Sequence, residues 1–322
     1  MKVLFITSSR LGDAVLSTGL LGYITQTYPG ARVTIVAGPM AAPLFDGYPN
    51  LERIIPLEKH RYSLHWARLW RQVAGTRWDI VVDMRNSAVS RLISARQRCI
   101  MGAQVDSSRH KVEQAAQVMK LETVPAPCLW FTQGQKNAVE RLIPAGEPVL
   151  GVGPAANWQG KMWPAENFMV IIRHIIGPGG ILPGARVAVF AAPGEEDIAR
   201  GVLESVPRER QIDMIGKADA GIAAAALARC AFYIGNDSGL MHTAAAAGVP
   251  TLGLFGPSYP HLYRPWGAHA DYVSTPESYD ELTAYDDYNP ATAPSLMHSL
   301  SVESVKESLE QFRFVNTAKA SS

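Results

Sequence analysis

Short apolar or β-branched runs recur along the chain at residues 2–7, 32–36, 53–57, 79–83, 148–153, 186–191, 212–215, 231–234 and 250–255, and helical stretches separate them. Strands that alternate with helices predict parallel sheets covered by helices on both faces. The alternation breaks midway, at Val124-Pro125-Ala126-Pro127 and again at residues 143–148, which hold two prolines and a glycine. A boundary near residue 146 follows, with Rossmann-like halves at 1–146 and 147–299 and a cleft between them. At the far end Val302, Val305, Leu309 and Phe312 recur at helical spacing, with Ser301 placed to cap and Glu303 in the first turn. Residues 302–314 are therefore expected to form an amphipathic helix, followed by a fraying tail at 316–322.

Composition narrows the class. With 322 residues, 47% hydrophobic and 18% charged, the chain can bury two cores and is not a disordered segment. Lys and Arg number 30 against 29 Asp and Glu, so no bulk charge announces a nucleic-acid partner. The three cysteines, Cys99, Cys128 and Cys230, are widely spaced and odd in number, which argues against a disulfide framework or a cysteine zinc site and fits a reducing cytosol. Only Val3 to Ile6 are strongly apolar near the start, too few for a signal peptide. The apolar stretches near 222–234 and 243–255 are broken by Arg229 and by Gly248 and Pro250, so any membrane association is expected to be peripheral.

Three loops after strands carry candidate chemistry. The first strand runs into Arg10-Leu11-Gly12-Asp13 ahead of an apolar-periodic stretch at 14–24. Parallel sheets gather ligands outside the carboxyl ends of their strands, so Asp13 projects toward a substrate position, although a plain helix cap explains it as well. No G-x-G-x-x-G fingerprint occurs there, which lowers the case for a dinucleotide. The second loop, residues 153–164, opens the second half, is glycine-containing, and brings Lys161 between Trp158 and Trp163 before a helix starting near Ala165. The third and strongest signal is Asn236-Asp237-Ser238-Gly239-Leu240-Met241-His242 followed by alanines, a buried strand that ends in a polar turn and a helix start. Free backbone N–H groups and the helix dipole there suit a diphosphate. His242 is read either as a core histidine or as a phosphate donor, and Asp237 with His242 are too few for a metal. Glu195, in the turn after the run at 186–191, suits a ribose hydroxyl or a bare helix start, and Gly256-Pro257-Ser258 closes a further strand beside the phosphate turn.

The near-zero net charge conceals polarity. Between residues 59 and 111 stand eleven Lys or Arg (Lys59, Arg61, Arg68, Arg71, Arg77, Arg85, Arg91, Arg96, Arg98, Arg109, Lys111) against Asp79, Asp83 and Asp106, a local excess of +8. With Trp66, Trp70 and Trp78 interleaved, the stretch 59–78 suits an anionic surface or a phosphorylated acceptor. Residues 267–299 hold six acids and no Lys or Arg and are read as a solvated loop region.

Taken together, Arg10-Leu11-Gly12-Asp13, Lys161-Met162-Trp163-Pro164 and Asp237-Ser238-Gly239-Leu240-Met241-His242 with Phe255-Gly256-Pro257-Ser258 resemble the heptosyltransferases of lipopolysaccharide core biosynthesis, glycosyltransferase family 9, in order and spacing over nearly the whole chain. The chain departs from that pattern where no hydroxyl residue follows Gly216-Lys217 and where Ala191-Ala192 stand in place of a common glycine. The resemblance implies an α/β GT-B fold, two Rossmann-like domains facing across a cleft, with the last helix and tail (300–322) crossing back to the first domain. It implies an inverting transferase that moves a heptose-like sugar from an ADP-activated donor without metal or other cofactor. By the same resemblance Asp13 is the general base and Lys161 the cation on the leaving diphosphate. The donor side comprises Asp237, Ser238, Gly239, His242, Glu195, Pro154 and Trp163. The acceptor side takes Arg10 and Gly12, and the basic stretch adds Lys59, Arg61 and Arg68. The expected partners are the nucleotide sugar, an anionic glycolipid and the cytoplasmic face of the inner membrane, for a monomer with no nucleic-acid partner. The rival readings are a sugar-nucleotide epimerase or hydrolase on the same scaffold, and a membrane scaffold without catalysis.

Overall fold

The structure, a computed structural model, describes residues 1–58, 61–286, 288–310 and 312. The chain divides into two compact units, Met1–Lys136 with Asp219–Ile222, and Asn137–Ala218 with the described residues from Ala223 onward. The change of unit falls inside the helix Gln133–Leu142.

The first unit holds β1 (Lys2–Ile6), β2 (Arg32–Ala37), β3 (Leu51–Pro56), β4 (Trp78–Asp83) and β5 (Ala95–Ile100), all parallel in the order β3-β2-β1-β4-β5. The second holds β6 (Val149–Gly153), β7 (Arg186–Ala191), β8 (Gln211–Ile215), β9 (Phe232–Asn236), β10 (Thr251–Phe255) and β11 (Ala270–Ser274), again parallel, in the order β11-β10-β9-β6-β7-β8. The strand order reverses direction between β1 and β4 in one sheet and between β6 and β9 in the other. Such switch points leave an open crevice at the carboxyl ends of the strands. Each of the three candidate loops follows one of these strands.

All nine sequence runs are strands; β5 and β11 are additional. Both are sheet edges with mixed exposure, so neither carries a continuous apolar run. The region 267–299 is accordingly not all loop: it contains β11 and the helix Tyr279–Thr283, which Ser278 and Glu281 close with a capping box. The stretch 14–24 is likewise two helices, Leu11–Leu16 and Thr18–Thr27. Ser17 stands between them and bonds the Ala14 carbonyl and the Thr7 hydroxyl, each at 2.8 Å.

In the second unit Leu150, Val152, Val187, Val189, Phe232, Ile234, Leu252 and Leu254 point to one face of the sheet, where Phe168, Ile171, Ile172 and Ile175 of the helix Ala165–Ile176 cover them. The helix Val302–Glu310 adds Val305 and Leu309, and Phe312 beyond it stacks edge-on against Phe232. Residues 313–322, the end of the expected helix and its tail, lie outside the described residues. The opposite face carries Gly151, Gly153, Gly235 and Gly253 among the buried side chains of Phe190, Met214, Tyr233 and Phe255. Among the described residues no helix is long and apolar enough to cross a membrane.

Candidate functional site

In the first unit Asp13 is the third residue of the six-residue helix Leu11–Leu16 and not its cap. That position belongs to Arg10, which is extended and makes no side-chain cap. Ser8 organises the turn: its Oγ donates to Asp13 Oδ2 at 3.3 Å and accepts from the Arg10 N–H at 3.2 Å. Gly12 and Asp13 are half-buried and Arg10 is exposed. The carboxylate therefore stands at the carboxyl end of β1, at the switch point, within reach of solvent.

In the second unit the loop after β6 and the turn after β9 meet. Lys161 Nζ donates to Asp237 Oδ2 at 2.5 Å, and Asp237 Oδ1 lies 3.7 Å from His242 Nε2. The Asp237 side chain is 5% exposed and that of Lys161 is 22% exposed, so the pair is open at its cationic end. His242 is buried one turn inside the helix Gly239–Ala246 and faces Asp237, which places it in the site and not in the apolar core. Ser238 begins that helix in an extended conformation and its hydroxyl does not cap it. The leading N–H groups of the helix thus carry no Ser238 cap and keep the partial positive charge that favours an anion.

The loop bearing Lys161 is fixed by residues far away in sequence. Asn236, fully buried at the end of β9, donates from Nδ2 to the Pro154 carbonyl at 2.8 Å and accepts the Trp163 N–H at 3.1 Å. Pro154 therefore serves through its carbonyl. The Trp163 ring lies wholly in the core, edge-on to Phe168, with its indole N–H on the Leu300 carbonyl at 2.9 Å. Expected as a donor contact, Trp163 instead anchors the loop, because a ring with no exposed surface offers none to a ligand. Residues 295–300 close over the same loop: Ser295 Oγ donates to the Met162 carbonyl at 2.7 Å and the Leu296 N–H to the Gly160 carbonyl at 3.0 Å.

Tyr233 fills the space over the glycines of that face. Its ring lies against Gly151, and a Cβ at Gly153 would overlap its hydroxyl, so Gly153 must lack a side chain while the ring keeps its place. That hydroxyl and the Ser238 hydroxyl are buried and neither makes a well-formed hydrogen bond; Ser258 Oγ is buried in the same condition. Burial pushes the Tyr233 phenol far up, and Ser238 offsets this only in part. Glu195 stands at the carboxyl end of β7, before the helix Glu196–Glu204, and accepts the Ala192 N–H at 3.3 Å. Burial raises its pKa; the Ala192 bond opposes that and Glu196 adds to it.

Of the basic stretch, Lys59 and the side chain of Arg61 lie outside the described residues. Arg68 is exposed on the helix Leu64–Val73 and lines a pocket with Leu57, Glu58 and His65. Among the described residues no three of His, Cys, Asp and Glu gather as a metal site would require. Asn236, at the head of the strongest motif, and Tyr233 take no role of their own from the sequence. An asparagine inside a buried apolar run was the available signal for the first, and the alternate glycines of β6 for the second.

Known proteins resemble the chain as follows. The model of glycosyltransferase family 9 (heptosyltransferase) matches residues 103–290. Lipopolysaccharide heptosyltransferase 2 of Salmonella typhimurium is 26% identical over 302 residues, covering 82% of this chain and 85% of that protein. Among solved structures, a family 9 glycosyltransferase from Veillonella parvula superposes with a TM-score of 0.76 at 22% identity, covering 96% of each chain. An E. coli heptosyltransferase solved with ADP superposes with a TM-score of 0.71 at 19% identity, covering 97% of this chain and 99% of that one. These likenesses show the fold, GT-B with two Rossmann-like domains.

Proposed function

Because the chain belongs to glycosyltransferase family 9 and is a glycosyltransferase, we propose that it is an inverting enzyme that moves a heptose-like sugar from an ADP-activated donor to a lipopolysaccharide-core-type acceptor. The names of its relatives support this donor and this acceptor class: one is a lipopolysaccharide heptosyltransferase and another was solved with ADP. The observation that carries the reading is the pairing of Lys161 with Asp237 beside the N-terminus of the helix Gly239–Ala246.

The chemistry is a single displacement. Asp13 takes the proton of the acceptor hydroxyl as its oxygen attacks the anomeric carbon, and the bond from that carbon to the diphosphate breaks. Charge developing on the departing ADP is met by the Lys161 ammonium and the leading N–H groups of the helix Gly239–Ala246, so that no metal is needed. Asp237 accepts from hydroxyls of the transferred sugar, while Ser238, Gly239 and His242 face the phosphates and Glu195 the ribose. In this reading residues 147–299 form the donor domain and residues 1–146 the acceptor domain, with Arg10, Gly12, Lys59, Arg61 and Arg68 on the acceptor. The enzyme works as a monomer on the cytoplasmic face of the inner membrane.

The test is incubation of the purified protein with ADP-heptose and a deacylated core saccharide. Transfer with inverted anomeric configuration is expected. Transfer with retention would overturn the single displacement, and consumption of the donor without any acceptor would point to an epimerase or hydrolase.

A further inference from the structure

The helix Leu64–Val73 is amphipathic in an unusual way. Its inner face is core: His65, Leu69 and Val73 are buried, and Leu69 and Val73 pack with Leu4, Ile6, Trp78 and Val89. Opposite them, at helical spacing, stand Leu64, Ala67, Arg68 and Arg71, all exposed, with Trp70 on the flank. Leu64 is 61% exposed, Trp70 42%, and Tyr62, two residues ahead of the helix, 86%. The chain enters the helix through Tyr62 and Ser63, both at positive φ (55° and 58°), a turn that residues bearing a Cβ seldom adopt. The short helix Val89–Leu92 packs alongside and contributes Leu92, 70% exposed. Four of the nine exposed large apolar residues among the described ones thus fall between residues 62 and 92. Such clustering marks an interaction surface more than scattered exposure does.

Charge says what it fits. The helix carries no acid; Glu58 lines the pocket beside Arg68 and His65, and the three acids of residues 59–111 are engaged elsewhere. Asp79 accepts the Lys2 N–H and lies 3.4 Å from Arg96, Asp83 is buried on the N–H groups of Arg85 and Ser87, and Asp106 bonds Ser108 and Arg109. A phosphorylated saccharide calls for cations converging on a pocket, and the centre of an interface between two copies is depleted of charge. Arg68 lines such a pocket, but Arg71, Trp70, Tyr62 and Leu64 on the open face match neither. They match the headgroup layer of an anionic bilayer, where rings and aliphatic side chains enter the acyl boundary and guanidinium groups meet phosphates.

We propose that this face, Tyr62, Leu64, Trp70 and Leu92 with Arg71 among them, seats the protein on an anionic phospholipid membrane. The proposal rests on the membrane location in the proposed function and identifies the surface responsible. Sedimentation of the full chain with vesicles tests it. The parent is expected to bind phosphatidylglycerol-rich vesicles at low salt, to release them as salt rises, and to ignore phosphatidylcholine alone. The double variant Leu64→Gln/Trp70→Gln should lose about tenfold or more in vesicle affinity. It should keep the parent's melting temperature and its transfer to a deacylated acceptor, since neither side chain belongs to the site. Unchanged vesicle binding by the variant would overturn the assignment of the surface while leaving the transferase reading intact. A parent that ignores anionic vesicles would overturn both the surface and the membrane location. A concentration-dependent dimer abolished by the same substitutions would make the face a self-interface and overturn the membrane reading of it.

Discussion

The Lys161 ammonium and the Asp237 carboxylate form an ion pair of 2.5 Å between the loop after β6 and the turn after β9. The two strands are neighbours in the sheet, so the pair ties together the two sides of its switch point. A carboxylate 5% exposed needs that partner, whereas the lysine, 22% exposed, keeps some access to water.

Removing the lysine should therefore cost stability as well as turnover. Loss of one partner from a buried pair costs about 3–5 kcal/mol, and the partial exposure of Lys161 reduces this to roughly 1–3 kcal/mol. Urea unfolding of Lys161→Ala should show that loss. Adding Asp237→Asn should recover part of it, because the uncompensated charge is gone, while sugar transfer stays absent. Strictly additive losses would mean that the pair contributes nothing as a pair.

Asp13 makes one side-chain hydrogen bond, from Ser8, which an asparagine oxygen can also accept. Asp13→Asn is expected to fold with parental stability and to lose about 10²- to 10⁴-fold in kcat with little change in donor KM. A variant that transfers sugar at the parental rate would remove the base assignment.

Gly153→Ala pushes a methyl group into the Tyr233 hydroxyl. Overpacking of this kind costs about 1–3 kcal/mol. Thermal unfolding should show Tyr233→Phe restoring much of it in the alanine background, since the clashing atom is removed and the ring remains. If the two substitutions destabilise independently, the ring does not set the need for glycine at this position.

Burial raises the Glu195 pKa above its ordinary value. In that case the unfolded chain ionises first as pH increases, so the residue subtracts stability from the ordinary glutamate range up through its raised folded value. Below that window both states are protonated and nothing is lost. Glu195→Gln should match the parent in acid and exceed it at neutral pH, as melting temperatures across the range will show. A parent-to-variant difference that does not change with pH would contradict the assigned direction.

The sequence displays the central strands plainly because parallel strands covered on both faces are apolar without interruption. The edge strands β5 and β11 lack that signature; Arg96, Gln97 and Arg98 of β5 are exposed and read as surface. In the site, Asp237, Ser238 and His242 were legible as one compact motif at a helix start, and Lys161 as a cation in a glycine-bearing loop. What the motif could not convey was dependence on distant chain. Trp163 looks like a ligand-facing aromatic until its partner Leu300, 137 residues away, is known. Asn236 similarly gains its meaning from Pro154, 82 residues earlier.

The three hydrogen bonds between residues 295–300 and the Lys161 loop bear on the order of synthesis. β6 and the loop after it leave the ribosome first; Ser295 follows Met162 by 133 residues and Leu300 follows Trp163 by 137. Until then the loop lacks the contacts that hold Trp163 and shape the approach of Lys161 to Asp237. A chain ending before Ser295 can complete the first sheet yet should not transfer sugar, so activity waits on residues that the ribosome adds long after the loop they hold.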